Sequence, residues 1–559
     1  MADNIYDAIV VGSGISGGWA AKELCEKGLK VLLLERGGPY RHIEDYKTAP
    51  KNLWEFEHRG GTTSEQREKY PVVHRGWAAQ EQVMDAWANE EDCPYTEVKP
   101  FTWWRSYRFG GRSILWGRQS YRWSPMDFES NAKDGTAIPW PVGYNDIAPW
   151  YDHVEKFAGI SGSSEGLPQL PDGKFLPPFD LNIVEKDVAV RIKEQFKGQR
   201  HLIIGRVANI TVPHNERPGC QFRNRCWEGC PFGGYFSTQS STYPAALKTG
   251  NLTVRPYSLV TQVLYDKDKK KASGVEVMDT ETNKTVEFKS KIVFLCASAL
   301  NSAWILMRSA TNVWTDGLGS SSSELGHNIM DHHYNLGASG TIDEYGDKYY
   351  YGRRPTGFYI PRFANIGADK RDYLRGFGYQ GSASRSGWRR EIAELNVGSA
   401  FKEALSEPGD WQIGATGFGE ILPYHENKIT LDKDKKDKWG LPVLSMDAEL
   451  KENEYKMRKD IVTELVAMLE AGGAKNIKTY DAGHAIGHGI HEMGTARMGN
   501  DPKTSVLNKW NQVWDATNVF VTDGAFMTSS ACQNPSLTYM AFTARAADYA
   551  VSELKKGNL

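Results

Sequence analysis

The hydrophobic pattern at the start of the chain predicts a strand, a turn, a helix and a second strand. Ala8 to Val11 is a continuous apolar run, as expected for a strand buried on both faces. Ala20, Ala21 and Leu24 recur at helical spacing and would face the sheet. The run KVLLLE, which closes on Glu35, predicts the next buried strand. This order of elements is typical of a nucleotide-binding α/β fold.

The turn between these elements carries a glycine fingerprint. Gly12, Gly14 and Gly17 form G-x-G-x-x-G, and Glu35 follows the second strand. The first glycine permits a tight turn, the second lets the backbone approach a pyrophosphate, and the third lets helix and strand pack closely. The helix N-terminus offers free N–H groups to phosphates, and Glu35 can accept hydrogen bonds from ribose hydroxyls. A dinucleotide site is predicted, with a ligand-free glycine turn as the alternative; the fingerprint does not separate FAD from NAD.

The later hydrophobic pattern divides the chain into regions. The stretch KIVFLCASALNSAWILMRS predicts a second strand–turn–helix unit. Alternating and aromatic-rich sequence over 336–477 predicts a mixed antiparallel sheet with helices, of which KENEYKMRKDIVTELVAMLEAGG is the clearest. We therefore expect an α/β protein: a Rossmann-like nucleotide domain over 1–335, a substrate domain over 336–477, and a return to the first domain over 478–559.

Length and charge narrow the class of protein. At 559 residues the chain is too long for one compact domain, and its net charge of -2 gives no sign of a nucleic-acid or anionic-membrane partner. No apolar run approaches the ~18 residues of a membrane span. The first residues show no basic region followed by a separate apolar one, so we expect a cytoplasmic protein unless a partner with a signal exports it.

Three of the seven cysteines cluster in one loop at about 212–240. Cys220, Cys226 and Cys230 form C-x5-C-x3-C. This spacing is compatible with a disulfide that leaves one thiol free, with a zinc site that takes His214 as a fourth ligand, or with an iron–sulfur cluster. The spacing alone does not choose among them.

A second glycine block occurs in RFGGRSILWG. Gly110 and Gly111 indicate a backbone pressed against a ligand, and Ser113 could donate a hydrogen bond to a phosphate or flavin oxygen. A plain turn between strands is an equally good interpretation of this block taken alone.

The C-terminal block holds candidate catalytic residues. His491 lies in HEMGTARMG, with His488 as its rival, and either histidine could simply satisfy a backbone carbonyl. Asn534 precedes Pro535, and a long amphipathic helix follows. Because proline is favoured in the first turn of a helix, the structural alternative for Asn534 is a helix N-cap.

Taken together and in this order, these blocks resemble the glucose–methanol–choline (GMC) oxidoreductase family of flavoproteins. The matching stretches are the N-terminal fingerprint, FGGRSILWG, LTVRPYSLV, VFLCASALNSAWILMRS, ELGHNIMDHH, HEMGTARMG, and VTDGAF followed by NPSLTYMAFTARAAD. The resemblance implies the GMC fold, FAD as cofactor, and oxidation of a primary or secondary alcohol. It adds four residues to the predicted flavin site: Trp116, Val260, Asp523 and Gly524.

The resemblance also implies roles for the C-terminal pair. In this family a histidine in an H-x-x-G-T context lies at the flavin, and a histidine or asparagine 43 residues later completes the pair; here these are His491 and Asn534. His491 would take the hydroxyl proton as hydride leaves for flavin N5, and Asn534 would hold that hydroxyl. Leu115 stands before Trp116, where the pyranose 2-oxidase branch has a flavin-linked histidine, so we expect non-covalent FAD.

The cysteine pattern resembles that of the catalytic subunit of bacterial FAD-dependent sugar dehydrogenases. The resemblance implies a [3Fe-4S] cluster on Cys220, Cys226 and Cys230, which would relay electrons from flavin to an external acceptor such as a cytochrome c. The glucoside 3-dehydrogenase group is most similar and implies oxidation of the C3 hydroxyl of glucose or glucosides to a ketone. Such enzymes commonly work with a small subunit that carries the export signal, which adds the bacterial periplasm as a compartment.

Other functions remain open at this point. Within the family, the alternatives are a glucose 1-dehydrogenase, a gluconate or polyol dehydrogenase, and a sugar oxidase that uses oxygen. An alternative of another class is a non-catalytic flavoprotein electron-transfer subunit, which would not need a base beside the flavin.

Overall fold

The computed structural model describes residues 5–349, 354–386, 397–483 and 485–559. Its helices are α1 (Ile15–Glu26), α2 (Ser64–Lys69), α3 (Pro125–Asp134), α4 (Tyr144–Ala158), α5 (Ile183–Gln195), α6 (Tyr243–Lys248), α7 (Ala299–Arg308), α8 (Gly398–Ser406), α9 (Glu452–Ala471) and α10 (Ser536–Lys555). Its strands are β1 (Ile5–Val11), β2 (Val31–Leu34), β3 (Thr96–Glu97), β4 (Ile203–Ile204), β5 (Leu252–Arg255), β6 (Ser258–Asp266), β7 (Lys271–Asp279), β8 (Thr285–Leu295), β9 (His332–His333), β10 (Leu336–Ile342), β11 (Phe358–Ile360), β12 (Phe377–Arg385), β13 (Trp411–Glu420), β14 (Lys428–Lys436), β15 (Pro442–Asp447), β16 (Lys475–Asp481), β17 (Gln512–Val513) and β18 (Ala516–Val521).

The first sheet is parallel at its centre. Its strands follow the order β17-β18-β8-β1-β2-β5; the pairs from β18 to β5 run parallel, and β17 closes one edge antiparallel. Helix α1 packs on β1 and β2 and against α10. Ala20, Ala21 and Leu24 of α1 are buried, as their helical spacing predicted. Strand β8 followed by α7 confirms the second predicted strand–turn–helix unit.

The central parallel strands end level with one another. Val11 of β1 pairs with Leu34 of β2 and with Leu295 of β8. The carboxyl ends of parallel strands meet at one edge of a sheet, and ligands bind outside that edge. The turns that begin at Gly12 and Glu35 therefore lie side by side there.

The second sheet is antiparallel throughout. It follows the order β16-β10-β13-β12-β11-β4, and β9 pairs with the end of β13. Helix α9, which the sequence predicts, packs on β10 and β13 and contacts α5. A small third sheet joins β14 and β15 to β3. Within the described ranges, no helix has the length and apolar character needed to cross a membrane.

Candidate active site

The fingerprint turn has the geometry that its glycines allow. Gly12 has φ +92°, and a Cβ at this position would lie 2.5 Å from the Cys296 carbonyl oxygen. A Cβ on Gly17 would lie 1.8 Å from the Gly12 carbonyl oxygen, a distance that no side chain can adopt. Only glycine at position 17 therefore allows the helix to pack this closely on the turn that follows the strand. A Cβ on Gly14 would meet nothing within 4 Å, because this backbone faces open space. That space is where a pyrophosphate would approach.

Glu35 is buried and bound by the turn beside it. Its carboxylate accepts hydrogen bonds from the Gly37 N–H at 2.8 Å, from the Ser13 N–H at 3.1 Å, and from the Ser13 hydroxyl. Burial raises the pKa of this carboxyl. The Ser13 hydroxyl also accepts from the Gly110 N–H at 2.7 Å, so it joins the fingerprint to the second glycine block. No local signal marks Ser13, because a serine inside the fingerprint looks like a variable position.

The second glycine block is a tight turn packed on the first. Gly110 has φ +86°, and a Cβ on it would lie 2.0 Å from the amide nitrogen of Gln239. Gly111 has φ +50°, and a Cβ on it would lie 3.5 Å from the Cα of Gly14. The Ser113 hydroxyl donates to Gln239 Oε1 at 3.3 Å. This turn is therefore part of the wall opposite the fingerprint.

A cavity, which we call the inner cavity, lies at the carboxyl edge of the first sheet. The predicted residues that line it are Gly12, Gly14, Glu35, Gly111, Ser113, Leu115, Trp116, Val260, Asp523 and Gly524. Gly17 and Gly110 lie behind this surface and shape its two turns. The Ser106 hydroxyl and the Arg36 Nε also belong to the lining, and each is buried without a hydrogen-bond partner among the described residues. Unpaired buried polar groups together with an open glycine turn fit a polar dinucleotide such as FAD.

Asp523 ties the last block of the chain to the inner cavity. Its carboxylate accepts from the Ser302 hydroxyl of α7 and from the Ala525 N–H at 3.0 Å. Burial raises the pKa of Asp523 to about 6. The residue thus holds the turn before Gly524 against the start of α7, which borders the same cavity.

The structure brings His491 and Asn534 together. The Asn534 amide nitrogen lies 3.2 Å from His491 Nε2, and both side chains line the inner cavity. The Asn534 amide oxygen accepts from the Gln380 amide at 2.5 Å. The other ring nitrogen of His491, Nδ1, lies 2.9 Å from Nδ1 of His332. Burial, followed by the proximity of His332 and Arg112, holds the pKa of His491 well below its usual range.

The backbone around His491 is held by Asp331. Its buried carboxylate accepts from the N–H groups of Gly487 at 2.8 Å, Gly489 at 2.9 Å and His491 at 2.9 Å. Burial, followed by the nearby Glu492, raises the pKa of Asp331 to about 7. Three convergent N–H donors orient the histidine loop against Asp331, which immediately precedes β9.

Two structural alternatives can now be decided. Asn534 is not the N-cap of α10: the cap position is Pro535, no side-chain cap is described there, and the Asn534 amide points to His491 and Gln380 instead. His488 packs against the rings of Trp104 and Tyr334, 5.3 Å and 5.9 Å away between centroids. His491, and not its rival, is therefore the histidine beside Asn534.

A second cavity of about 640 Å³ adjoins the first and is called the outer cavity here. The two cavities share Gly117, Arg118 and Gln119. The polar side chains of the outer cavity are Gln80, Gln82, Arg118, Gln119, Asp180, Asn182, Asn224, Arg225, Glu228, Arg354, Thr356, Gln380, Ser382 and Ser384. Of these, Gln380 also contacts Asn534. No local motif marks Gln380, Ser382 or Ser384, because their shared surface arises only when β12 joins the antiparallel sheet.

The cysteine loop borders the outer cavity through Cys226. All seven cysteines are free, and Cys220, Cys226 and Cys230 are partly exposed. The N–H of Phe222 points to the Cys220 sulfur at 3.5 Å, and that of Gly234 points to the Cys230 sulfur at 3.4 Å.

The thiols as placed do not form a metal site. Among the residues that the structure describes, no three histidine, cysteine or carboxylate side chains come together in a way that could hold a metal ion. His214, the candidate fourth zinc ligand, uses its Nε2 to donate to the Lys156 carbonyl at 2.8 Å. Burial and the neighbouring thiols raise the pKa of Cys220 to about 11, which keeps this thiol protonated without a metal.

Comparison with known proteins identifies the family. The GMC oxidoreductase models match residues 6–334 and 423–543, so the chain belongs to the GMC oxidoreductase family. The chain is 29% identical to a 2-methyl-1,2-propanediol dehydrogenase of Mycolicibacterium austroafricanum, over 97% of this chain and 94% of that protein. It is 25% identical to the fructose dehydrogenase large subunit of Gluconobacter japonicus, over 99% and 98% of the two chains.

A solved structure shows the same fold. Pyridoxine 4-oxidase from Mesorbium loti superimposes with a TM-score of 0.60 at 14% identity, covering 97% of this chain and 98% of that one. The chain thus has the GMC fold, and the resemblance inferred from its motifs is confirmed. GMC oxidoreductases generally bind FAD, and this protein is a FAD-dependent dehydrogenase or oxidase of alcohol or sugar hydroxyls.

Proposed function

We propose that the protein oxidises a secondary hydroxyl of glucose or a glucoside, with C3 favoured, to a ketone. The observation that carries the proposal is where the catalytic pair lies. His491 and Asn534 line the inner cavity, while Gln380, which donates to Asn534, lines the outer one. A substrate in the outer cavity therefore meets the pair where the two cavities join.

The side chains divide the chemistry of alcohol oxidation between them. FAD, held by the inner cavity, supplies the hydride acceptor. His491 is neutral because its pKa is depressed, so its Nε2 can accept the hydroxyl proton as the C–H bond breaks. The Asn534 amide nitrogen, on the same side of the ring, can donate to the hydroxyl oxygen and fix its direction. Gln380 holds that amide in the required orientation.

The lining of the outer cavity supports a polyhydroxylated substrate. Each sugar hydroxyl both donates and accepts a hydrogen bond, and amide and hydroxyl side chains likewise offer both donors and acceptors. Gln119, Gln380, Ser382 and Ser384 provide such groups in the outer cavity, and Gln380 also contacts Asn534. A cavity of about 640 Å³ is in the range of small-molecule sites, so a hexose or a simple glucoside fits its size. The fructose dehydrogenase relative supports the sugar class.

A polyol dehydrogenase is the second candidate. It is favoured by the relative that is named for 2-methyl-1,2-propanediol, a small diol without a ring. The same pair would serve either substrate, since only a hydroxyl and its carbon enter the chemistry. The choice of C3 rests on the resemblance to glucoside 3-dehydrogenases.

Product analysis tests the proposal. The purified protein would be incubated with glucose, methyl glucoside or 2-methyl-1,2-propanediol and an artificial electron acceptor. A 3-keto sugar supports the proposal, and the use of methyl glucoside is informative because its C1 hydroxyl is blocked. A lactone from glucose with no reaction of methyl glucoside would contradict C3 oxidation, and reaction of the diol alone would favour the second candidate.

We also propose that the electrons leave to an external acceptor rather than to NAD. A cytochrome c-type protein as acceptor, a small partner subunit and periplasmic export with that subunit are parts of this proposal. A [3Fe-4S] cluster on the cysteine loop remains a prediction. The thiols as placed do not support it, so no electron route through them is included. Iron and acid-labile sulfide near three and four per protein would support the cluster, and their absence from an anaerobic preparation would exclude it.

Non-covalent attachment of FAD is the last part of the proposal. Leu115 lies in the inner cavity next to Trp116, and a leucine side chain has no nucleophile for a flavin link. Acid precipitation should release all of the flavin into the supernatant. Yellow colour that stays with the precipitate would contradict this expectation.

A further inference from the structure

A second histidine, His332, lies behind the catalytic one. It is 1% exposed, and the bridge between Met330 and Met493 sets its position. The backbone N–H and C=O groups of these two methionines exchange hydrogen bonds of 3.0 Å and 2.9 Å. His332 and His491 each lie two residues from this bridge on opposite chain segments. Because side chains alternate along extended chains, both imidazoles point to the same side and meet.

The hydrogen bonds of the two rings have only one consistent direction. His332 Nε2 bonds to the Ala531 carbonyl oxygen, which can only accept, so this nitrogen carries a proton. Burial lowers the pKa of His332 to about 4, so the ring is neutral and its Nδ1 is a lone-pair acceptor. The 2.9 Å contact between the two Nδ1 atoms then requires that His491 Nδ1 donates.

The same reasoning fixes the outer end of the chain of hydrogen bonds. With its single proton on Nδ1, neutral His491 has its lone pair on Nε2. That lone pair faces the Asn534 amide N–H at 3.2 Å, and the Asn534 oxygen accepts from Gln380 at 2.5 Å. The hydrogen bonds therefore run in one direction, from Gln380 through Asn534 and His491 to His332 and the backbone.

We infer that His332 is a positioning residue that selects the tautomer of His491 and so keeps its lone pair on the nitrogen that faces the substrate. This inference rests on the proposed function, because it deepens the role given to His491. Without His332, His491 would exchange between two neutral tautomers and rotate more freely, and the form with a proton on Nε2 cannot accept one from a hydroxyl. His332 itself does not touch the substrate in this account.

The tautomer can be measured without any turnover. In holoenzyme labelled with nitrogen-15 at histidine, the inference predicts that His491 carries its proton on Nδ1 and His332 on Nε2. Both protons should resonate at low field because they are hydrogen-bonded and shielded from water. The His491→Ala and His332→Ala variants assign the two signals. A His491 proton on Nε2 in the wild type would overturn the inference.

Kinetics give an independent test. The rate of flavin reduction by substrate in His332→Ala should fall about 10- to 100-fold, the size of the loss when a partner that orients a metal-bound histidine is removed. His332→Asn should recover most of that loss, since the asparagine oxygen can replace Nδ1 as an acceptor. His333→Asn is the matched control: this neighbouring buried histidine donates to the Glu420 carbonyl at 3.1 Å and does not contact His491.

The pH profile separates positioning from general structural damage. Loss of His332 admits water and so relieves the burial that lowers the pKa of His491, so the acidic limb of kcat/KM should move to higher pH in His332→Ala and return in His332→Asn. Arg112, Glu492 and Asp331 also surround this site and stay unchanged in both variants. Equal loss in both variants with an unmoved limb would contradict the inference. If the wild type is reduced by no alcohol, the proposed function fails, and the tautomer measurement still decides the role of His332.

Discussion

The catalytic pair lines the inner cavity and the cysteine loop borders the outer cavity, and the rest of the fold holds these two regions very differently. His491 and Asn534 bond to each other and are held by hydrogen bonds to His332 and Gln380 and by the Asp331 carboxylate, which accepts from the His491 N–H. The three thiols of the cysteine loop are partly exposed, and among the described residues they form no group that could hold a metal ion. A base accelerates proton transfer only if its geometry is set before the substrate arrives. Metal ligands differ, because the metal itself can draw them together and its binding free energy contributes to folding.

The largest effect is expected from removing the base. His491→Ala should lower the rate of substrate-dependent flavin reduction by about 10²- to 10⁴-fold, because general base catalysis contributes that much. FAD should stay bound, since the glycine turns are untouched. Stopped-flow absorbance measures the rate, and His488→Ala should behave like the wild type. Unchanged reduction in His491→Ala would show that His491 is not the base.

A moderate effect is expected from the pH dependence of the intact site. A histidine base with a usual pKa would lose its neutral form below about pH 6.5. The folded-state pKa of His491 is depressed, so the base remains neutral as the pH falls through that value. The kcat/KM for the sugar should therefore stay flat between about pH 7.5 and 5.5. A tenfold decline per pH unit that starts near 6.5 would show that the site is open to water.

A smaller effect is expected from Gln380, which donates a hydrogen bond to Asn534. Gln380→Ala removes one neutral hydrogen bond to Asn534, which is worth about 0.5–1.5 kcal/mol, so flavin reduction should slow by about 3- to 10-fold. Gln412 is a suitable control because it is an exposed glutamine on the neighbouring strand β13. If Gln412→Ala slows the reaction equally, the hydrogen bond to Asn534 is not the cause.

The smallest effect on chemistry is expected from the cysteine loop. Replacement of Cys220, Cys226 and Cys230 by serine should change flavin reduction by the sugar less than about twofold, because the pair does not depend on the thiols. If a cluster is present, the variant should lose its iron and its transfer of electrons to a protein acceptor. A strong loss of flavin reduction would show that the cysteine loop shapes the substrate site and that the two regions are not independent.

The two regions also differ in what their sequences could predict. Gly12, Gly14, Gly17 and Glu35 lie within one local unit, so their spacing alone predicted the turn and its strand–helix context. His332, by contrast, lies 159 residues before His491, and only the bridge between two distant segments brings them together. Gln380 likewise depends on how β12 pairs in the second sheet.

The resemblance to a family supplied what local spacing could not. The 43-residue interval between His491 and Asn534 corresponds to no helix or strand periodicity. The alternative role of Asn534 as a helix cap was reasonable from the local sequence but wrong. The cysteine loop shows the limit of the same approach. Its spacing suggests ligands, but only the positions of the three sulfur atoms in space can decide whether they bind metal.

The most direct test of the central claim is an anaerobic titration of the purified holoenzyme with methyl glucoside, followed by flavin absorbance. We expect full bleaching of the oxidised flavin bands in the wild type, formation of one ketone per flavin, and no bleaching on the same timescale in His491→Ala. Flavin that remains oxidised in the wild type with methyl glucoside, glucose and other simple sugars would contradict the claim that His491 and Asn534 form a sugar-oxidising site.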